Sequence, residues 1–401
     1  MHQKRWTRKK LFSFSILVCV AIFLLVEILF RLLFWQQMKS FHTTVYVQGS
    51  PLQLDDSALV FRNRPFYLDH QRKYQNNENG MRGKPGDVFM PVKDSNDFWV
   101  FLFGASAIEG MGSNKDGEWL DITGVTDHGY NENIAFFLER ELQQKMPGKK
   151  VRVFNAANSG YTIHQSFMRY AAQDADMDWV ISMDGQNDPA LLGPGQLVMD
   201  SVREEWEQNP TNSFPLSVII PITQHSAFVN RMKQSIFHIK QNRRIREARE
   251  NGFPRSQYWF SRPQAIRYRS ADDSTARALD SFFNALHRFD STLTARNQKH
   301  LLLLQPHIIF RDSSVMTTTE RALLNYYAGR PGNASTNGFL RDMRRRFATE
   351  KFSDSTSVQL LDATDTMRIP VFVDYCHFTA QANSVIARML ANHIIEHNQH
   401  P

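Results

Sequence analysis

Phe98-Trp99-Val100-Phe101-Leu102-Phe103-Gly104-Ala105-Ser106-Ala107-Ile108-Glu109-Gly110 is the stretch that decides the fold. Its apolar run has no polar alternation, which marks a strand buried on both faces, and the small residues after it turn the chain into a helix. Four more such runs follow: Val151-Arg152-Val153-Phe154, Trp179-Val180-Ile181-Ser182-Met183, Leu301-Leu302-Leu303-Leu304 and Val358-Gln359-Leu360-Leu361. Helical patterns fall between or after them, at about 133–146, 162–174, 273–298, 336–349 and 379–397. Strands separated by helices predict a parallel sheet covered on both faces, so the fold class is α/β, three layers in one domain with insertions.

Open parallel sheets bind their ligands beyond the carboxyl ends of the strands, so the residues just after each strand are the place to look for chemistry. The first strand ends at Ser106. A serine at a glycine-preceded strand-to-helix turn can hold its hydroxyl over the sheet edge and aim its own N–H at a developing oxyanion. The glycine spacing is wrong for a P-loop, and no Lys-Ser/Thr follows. The second strand runs into Asn155-Ala156-Ala157-Asn158-Ser159-Gly160, and the third into Asp184-Gly185-Gln186-Asn187-Asp188. The N–H of Gly160 and the side-chain amide of Asn187 are donor types an oxyanion hole uses, although each residue taken singly also suits a turn or a cap. Near the C-terminus stands Val373-Asp374-Tyr375-Cys376-His377-Phe378-Thr379. Asp374 and His377, three apart, can lie side by side, with one imidazole nitrogen on the carboxylate and the other facing the serine.

Taken together and in order, Phe103-Gly104-Ala105-Ser106, Asn155-Ala156-Ala157-Asn158-Ser159-Gly160, Gly185-Gln186-Asn187-Asp188 and Asp374-Tyr375-Cys376-His377 resemble the Ser, Gly, Asn and His blocks of the SGNH (GDSL-type) hydrolase superfamily. The resemblance covers about 98–190 and 355–397. It extends to Ile369-Pro370-Val371-Phe372-Val373 before the last block and Gln381-Ala382-Asn383-Ser384 after it, as in membrane-anchored bacterial members. It implies a flavodoxin-like sheet, with Ser106 as nucleophile and oxyanion donor, Gly160 and Asn187 as further donors, His377 as general base and Asp374 as its orienting carboxylate. The family usually carries Asp, sometimes Gly, where this chain has Ala105. That Asp supports the loop and is not the triad acid, so its loss bears on substrate preference or turnover more than on the fold.

Three other readings compete for the same residues. His393-Ile394-Ile395-Glu396-His397 fits an H-x-x-E-H zinc pattern, but only four residues follow it, and the stretch reads as the polar end of a helix. Cys376 sits beside His377, and adjacent residues point in different directions, so it packs inward. Asp362 or Asp365 offers an alternative orienting acid, with the spacing favouring Asp374. No cofactor and no metal ligand set is needed for this chemistry.

The composition, 42% hydrophobic and 22% charged over 401 residues, excludes a disordered chain and a multi-pass membrane protein. The formal charge is +7, and Lys4, Arg5, Arg8, Lys9 and Lys10 supply +5 of it within the first ten residues. The apolar segment that follows, 11–35, is interrupted by Glu27 and Arg31 at i, i+4. A helix over it is long enough to span a bilayer core of ~30 Å at ~1.5 Å per residue. No small-residue cleavage site comes after it, only Gln36-Gln37-Met38-Lys39, so an uncleaved signal anchor is expected rather than a cleaved signal peptide. The expected organisation is a cytoplasmic basic tail (1–10), a transmembrane signal anchor (11–35), a stalk and lead-in (36–95) and an SGNH-like domain (96–398) with an insertion at about 189–270. The expected location is the cell membrane, single-pass, with the catalytic domain on the extracytoplasmic side. Cys19 lies in the anchor and Cys376 in the outer domain, so no disulfide joins them. A second basic segment, 231–250, carries seven bases and two acids. Nucleic acid has no place outside the cell, which leaves a solvated helix face, anionic lipid or an acidic glycan.

These readings converge on a membrane-anchored serine esterase or deacetylase acting on an ester or O-acetyl group of an envelope glycan or lipid. An O-acyltransferase using the same site, and an inactive SGNH-fold glycan-binding or assembly protein, are the alternatives. The sequence does not give the oligomeric state.

Overall fold

The structure is a computed structural model that describes residues 8–33, 53–56, 59–63, 65–68, 73–111, 129–188, 273–328, 333–352, 358–360 and 362–399. A small antiparallel hairpin pairs β1 (Gln53–Asp56) with β2 (Val60–Asn63). The main sheet holds β3 (Gln75–Asn76), β4 (Arg82–Gly83), β5 (Asp97–Gly104), β6 (Lys150–Asn155), β7 (Trp179–Asp184), β8 (His300–Leu304) and β9 (Val358–Leu360), in the spatial order β3-β4-β6-β5-β7-β8-β9. The strands β6, β5, β7, β8 and β9 are parallel. Numbered among themselves they run 2-1-3-4-5, the order in which a doubly wound sheet reverses direction at its first strand. The helices are α1 (Arg8–Leu33), α2 (Ser106–Glu109), α3 (Ile134–Lys145), α4 (Ile163–Ala171), α5 (Asp273–Ala295), α6 (Thr318–Ala328), α7 (Asn333–Thr349) and α8 (Ala380–Gln399).

The pleat sorts the strand residues into two cores. Val100, Leu102, Ile181, Met183, Leu301 and Leu303 pack on one face against Leu138 and Leu142 of α3 and Ile386 and Leu390 of α8. Their neighbours Phe101, Phe103, Val180, Leu302 and Leu304 pack on the other against Tyr170 of α4, Phe282 and Phe289 of α5 and Met343 of α7. Both faces are dry, which is why these strands show no alternation in the sequence. Each fully buried Leu, Ile or Phe contributes roughly 1.5–3 kcal/mol, so the central strands are heavily anchored.

All five expected strands form, and the expected helices match to within a few residues at each end. Three features were not anticipated. α6 is an additional helix. β1 and β2 give part of the lead-in a regular structure. β3 and β4 add an antiparallel ribbon to the sheet edge, through the pairing of Arg82 with Asn155, so the sheet is mixed and begins upstream of residue 96. The insertion at 189–270, with the basic segment 231–250, lies outside the described residues.

The helix α1 covers most of the segment expected to span a membrane. Among the described residues no helix is long and apolar enough to cross a membrane.

Candidate active site

The turn between β5 and α2 depends on Gly104, whose φ is +131°. A Cβ at this position would stand 2.4 Å from the carbonyl oxygen of Met183 on the neighbouring strand. Glycine is therefore required by conformation and by space. Ala105 then caps α2 with extended backbone, and Ser106 opens it. The serine sits at the carboxyl edge of the sheet, 8% exposed.

The last block is a loop that folds back on itself. The amide of Thr379 donates to the carbonyl of Val371 at 2.9 Å, and that of Val373 to His377 at 2.9 Å. At the tip, Oδ1 of Asp374 accepts from the backbone N–H of Cys376 at 2.8 Å and of His377 at 2.7 Å. Such a turn, closed by the aspartate's own carboxylate, is a local preference of Asp. It leaves Oδ2 for the ring. Nδ1 of His377 lies 2.6 Å from Oδ2 of Asp374, and Nε2 lies 2.7 Å from Oγ of Ser106. Because a carboxylate only accepts, Nδ1 carries the proton, and in the neutral ring Nε2 is then the acceptor for the serine hydroxyl. Burial pushes the carboxyl of Asp374 upward, but the His377 ring and the two N–H donors outweigh it and hold it below its ordinary range.

The neighbouring elements hold this loop in register. Nε2 of Gln305 donates to the carbonyl of Cys376 at 3.0 Å, and the amide of Ile308 to Tyr375 at 2.9 Å. His307 is buried against Tyr375, with ring centroids 5.7 Å apart. Burial pushes its pKa down to about 3 despite the charge of Asp374, so it is neutral at any physiological pH. The carboxylate of Glu320 accepts from the amides of Val371 at 2.9 Å and Phe372 at 3.1 Å and stands 3.2 Å from Nε of Arg311.

The second and third blocks meet the same sheet edge. The amide of Asn158 donates to the carbonyl of Gly104 at 3.0 Å, which ties the second block to the turn that bears Ser106. Gly160 has a φ of +85°, a left-handed conformation that suits glycine in this turn. Nδ2 of Asn187 donates to the carbonyl of Tyr161 at 2.9 Å, so one amide hydrogen is engaged there and the second remains for another acceptor. Behind Asn187, Asp188 accepts from the amide of Ile163 at 3.1 Å, joining the third block to the start of α4. Asp184 accepts from Ser166 at 2.7 Å and Ser182 at 2.5 Å.

The competing readings lose their groups to other partners. Asp365 is engaged by Arg344 at 2.5 Å, and the side chain of Asp362 lies outside the described residues. The rings of His393 and His397 stack 4.0 Å apart, and Nδ1 of His397 lies on the carbonyl of His393 at 2.9 Å. Cys376 is buried, with its Sγ 3.7 Å from Nδ1 of His377, the nitrogen that faces Asp374. Burial, with Asp374 beside it, pushes its thiol well above the ordinary value, the opposite of what a nucleophilic cysteine needs. Asp374, Cys376 and His377 bring three ligand-type atoms within 4.8 Å of one another. The aspartate and imidazole of that group are already bonded to each other.

Glu109, like Gln305, His307, Glu320 and Arg311, belongs to this neighbourhood without a role assigned to it from the sequence. Glu109, fully buried on α2, places Oε1 2.8 Å from Nδ2 of Asn63 and Oε2 2.7 Å from the amide of Ser159, and it also accepts from the Ser159 hydroxyl. A carboxylate three residues after the serine was visible, but its partner on β2 carries no sequence signal.

No family model and no curated relative matches the chain. Among solved structures it is similar to a carbohydrate acetylesterase family member from Sinorhizobium meliloti, with 13% identity, a TM-score of 0.35, and 74% of this chain and 97% of that one covered. It is also similar to Axe2, an acetylxylan esterase from Geobacillus stearothermophilus, with 14% identity, a TM-score of 0.31, and 76% and 96% covered. A third is LAE5, an alpha/beta hydrolase enzyme from the metagenome of Lake Arreo, with 14% identity, a TM-score of 0.31, and 74% and 94% covered. In its four blocks, and in the sheet edge where they meet, the chain resembles the SGNH hydrolases.

Proposed function

We propose that the protein is a serine esterase or deacetylase, anchored to the membrane by its N-terminal helix and acting outside the cytoplasm on an ester or O-acetyl group of an envelope glycan or lipid. The observation that carries this reading is the continuous chain of hydrogen bonds from Asp374 Oδ2 through the His377 ring to Ser106 Oγ. Nε2 of His377 takes the serine proton as Oγ attacks the carbonyl carbon, and Asp374 stabilises the imidazolium that results. The N–H groups of Ser106 and Gly160 and the second amide hydrogen of Asn187 receive the oxyanion. His377 then returns the proton to the departing alcohol. Water, deprotonated by the same imidazole, releases the acyl group from Ser106. A tethered enzyme meets esters close to the membrane, which favours envelope substrates. Anchoring draws on the basic tail and on the exposed Leu17, Leu24, Leu25, Ile28 and Leu29 of α1.

The test is p-nitrophenyl acetate hydrolysis by the full chain in detergent. Ser106→Ala is expected to lower the rate by roughly 10³-fold or more, to the level left by binding and the oxyanion donors. Equal rates for the two proteins would overturn the esterase reading.

A further inference from the structure

We propose that Glu109 is a positioning residue for this site: its buried carboxylate grips Ser159 and so sets where the N–H of Gly160 stands relative to Ser106. The inference rests on the esterase reading and deepens it. Glu109 is on the same short helix as Ser106, three residues on, and both its oxygens are engaged. Oε1 takes the amide of Asn63 from β2, and Oε2 takes the backbone N–H and the hydroxyl of Ser159. Asn63 also reaches the second block itself, through the carbonyl of Ala157 at 3.2 Å. Asn155 closes the other side, its Nδ2 donating to the carbonyl of Ile108 at 2.8 Å. The helix that holds the nucleophile is therefore bonded to the residues on either side of the loop that presents Gly160. In a site of this kind a shift of about 1 Å in one donor is enough to lose much of the rate.

The arrangement also accounts for Ala105. The family resemblance places a loop-supporting carboxylate there, and in this chain Ala105 makes no side-chain cap bond. A carboxylate still touches the loop, but it comes from Glu109, one turn later.

Glutamine cannot replace it. Asn63 and Ser159 both present donors, and an amide offers only one accepting atom, so one of them would face an N–H₂ group. The experiment measures kcat and KM for p-nitrophenyl acetate with the full chain, with kcat normalised to sites titrated by a fluorophosphonate. Glu109→Gln is expected to lower kcat per titrated site by about 10–100-fold with KM within about twofold, because the lost interaction acts in the transition state. A purely structural role would instead reduce the number of titratable sites or the thermal midpoint and leave kcat per site intact. Ser159→Ala and Glu109→Asp complete the set. The first removes only the hydroxyl contact and the second withdraws the carboxylate by one methylene, and each is expected to lower kcat per site at least about fivefold by the same displacement argument. If Glu109→Gln fails to fold, these two decide the matter. Values of kcat per site within twofold of wild type, in a protein whose activity depends on Ser106, would overturn the proposal. An activity that does not depend on Ser106 would overturn the esterase reading itself.

Discussion

At the scale of single residues, the site is built from small decisions by the backbone. Gly104 is the sharpest of them, because its conformation and the nearby Met183 carbonyl both exclude a side chain. Gly104→Ala is expected to destabilise the fold by about 1–3 kcal/mol, read as a lower urea midpoint, and to displace the serine. Asp374→Asn separates geometry from charge. An asparagine fits the same turn, yet it favours the wrong imidazole tautomer and cannot stabilise an imidazolium, so kcat is expected to fall by roughly 10²–10⁴-fold with the protein still folded. Activity within tenfold of wild type would remove Asp374 from the role assigned to it. Ser106, Asp374, His377, Gly160 and Asn187 were all legible in the sequence, because each sits in a short block right after a strand or before a helix. Glu109 was legible only as a letter. Its meaning depends on Asn63, which lies 46 positions upstream in a turn-rich segment with no periodic pattern.

At the scale of elements, the strands were legible because a doubly covered sheet writes continuous apolar runs, and the helices because each has one apolar stripe. The short edge strands β3 and β4 are too brief to show a pattern, and they exist only because β6 offers them an edge. The helix α6 carries a local capping signal. Thr317 and Glu320 form a reciprocal cap, with the Thr317 amide donating to Glu320 Oε2 at 2.9 Å and the Glu320 amide to Thr317 Oγ1 at 3.1 Å. Glu320 serves two elements at once, since its other oxygen holds Val371, Phe372 and Arg311. Arg311 in turn donates to the carbonyls of Thr364 at 2.6 Å, Met367 at 2.8 Å and Ile369 at 2.7 Å. Arg311→Met removes one partner of a fully buried ion pair and orphans three carbonyls of the segment that leads to Asp374. A cost of about 3–5 kcal/mol is expected by chemical denaturation.

At the scale of the whole molecule, buried titratable groups set a pH dependence of stability. Burial, and after it the neighbouring charge of Asp184, pushes Asp188 up to about 8. Burial also pushes Asp184 up to about 6, against the hydroxyls of Ser182 and Ser166. These two titrate as a pair. Between the ordinary carboxylate pKa, about 4, and these raised values, the folded protein holds protons that the unfolded chain has released. Stability therefore falls as pH rises through that window, by at most about 1.4 kcal/mol per pH unit for each proton. His307 acts in the opposite direction, since its folded value near 3 lets the unfolded chain bind the extra proton up to about pH 6.5. The two effects oppose each other in acid, and above about pH 7 only the aspartate remains. Urea midpoints are expected to drop between about pH 7 and 8 in the wild type and to flatten in Asp188→Asn. A slope unchanged by that substitution would assign the titration elsewhere.

The hydrogen bond between Ser106 and His377 joins positions 271 residues apart. A chain made from its N-terminus carries Ser106 long before it carries His377. Loop closure over such a distance follows the assembly of the intervening strands. Until the last segment has emerged and α8 has docked on α3, Ser106 has no imidazole of His377 beside it. On the proposed mechanism, synthesis order thus acts as a safety catch, since a product cut short anywhere before residue 374 lacks both Asp374 and His377.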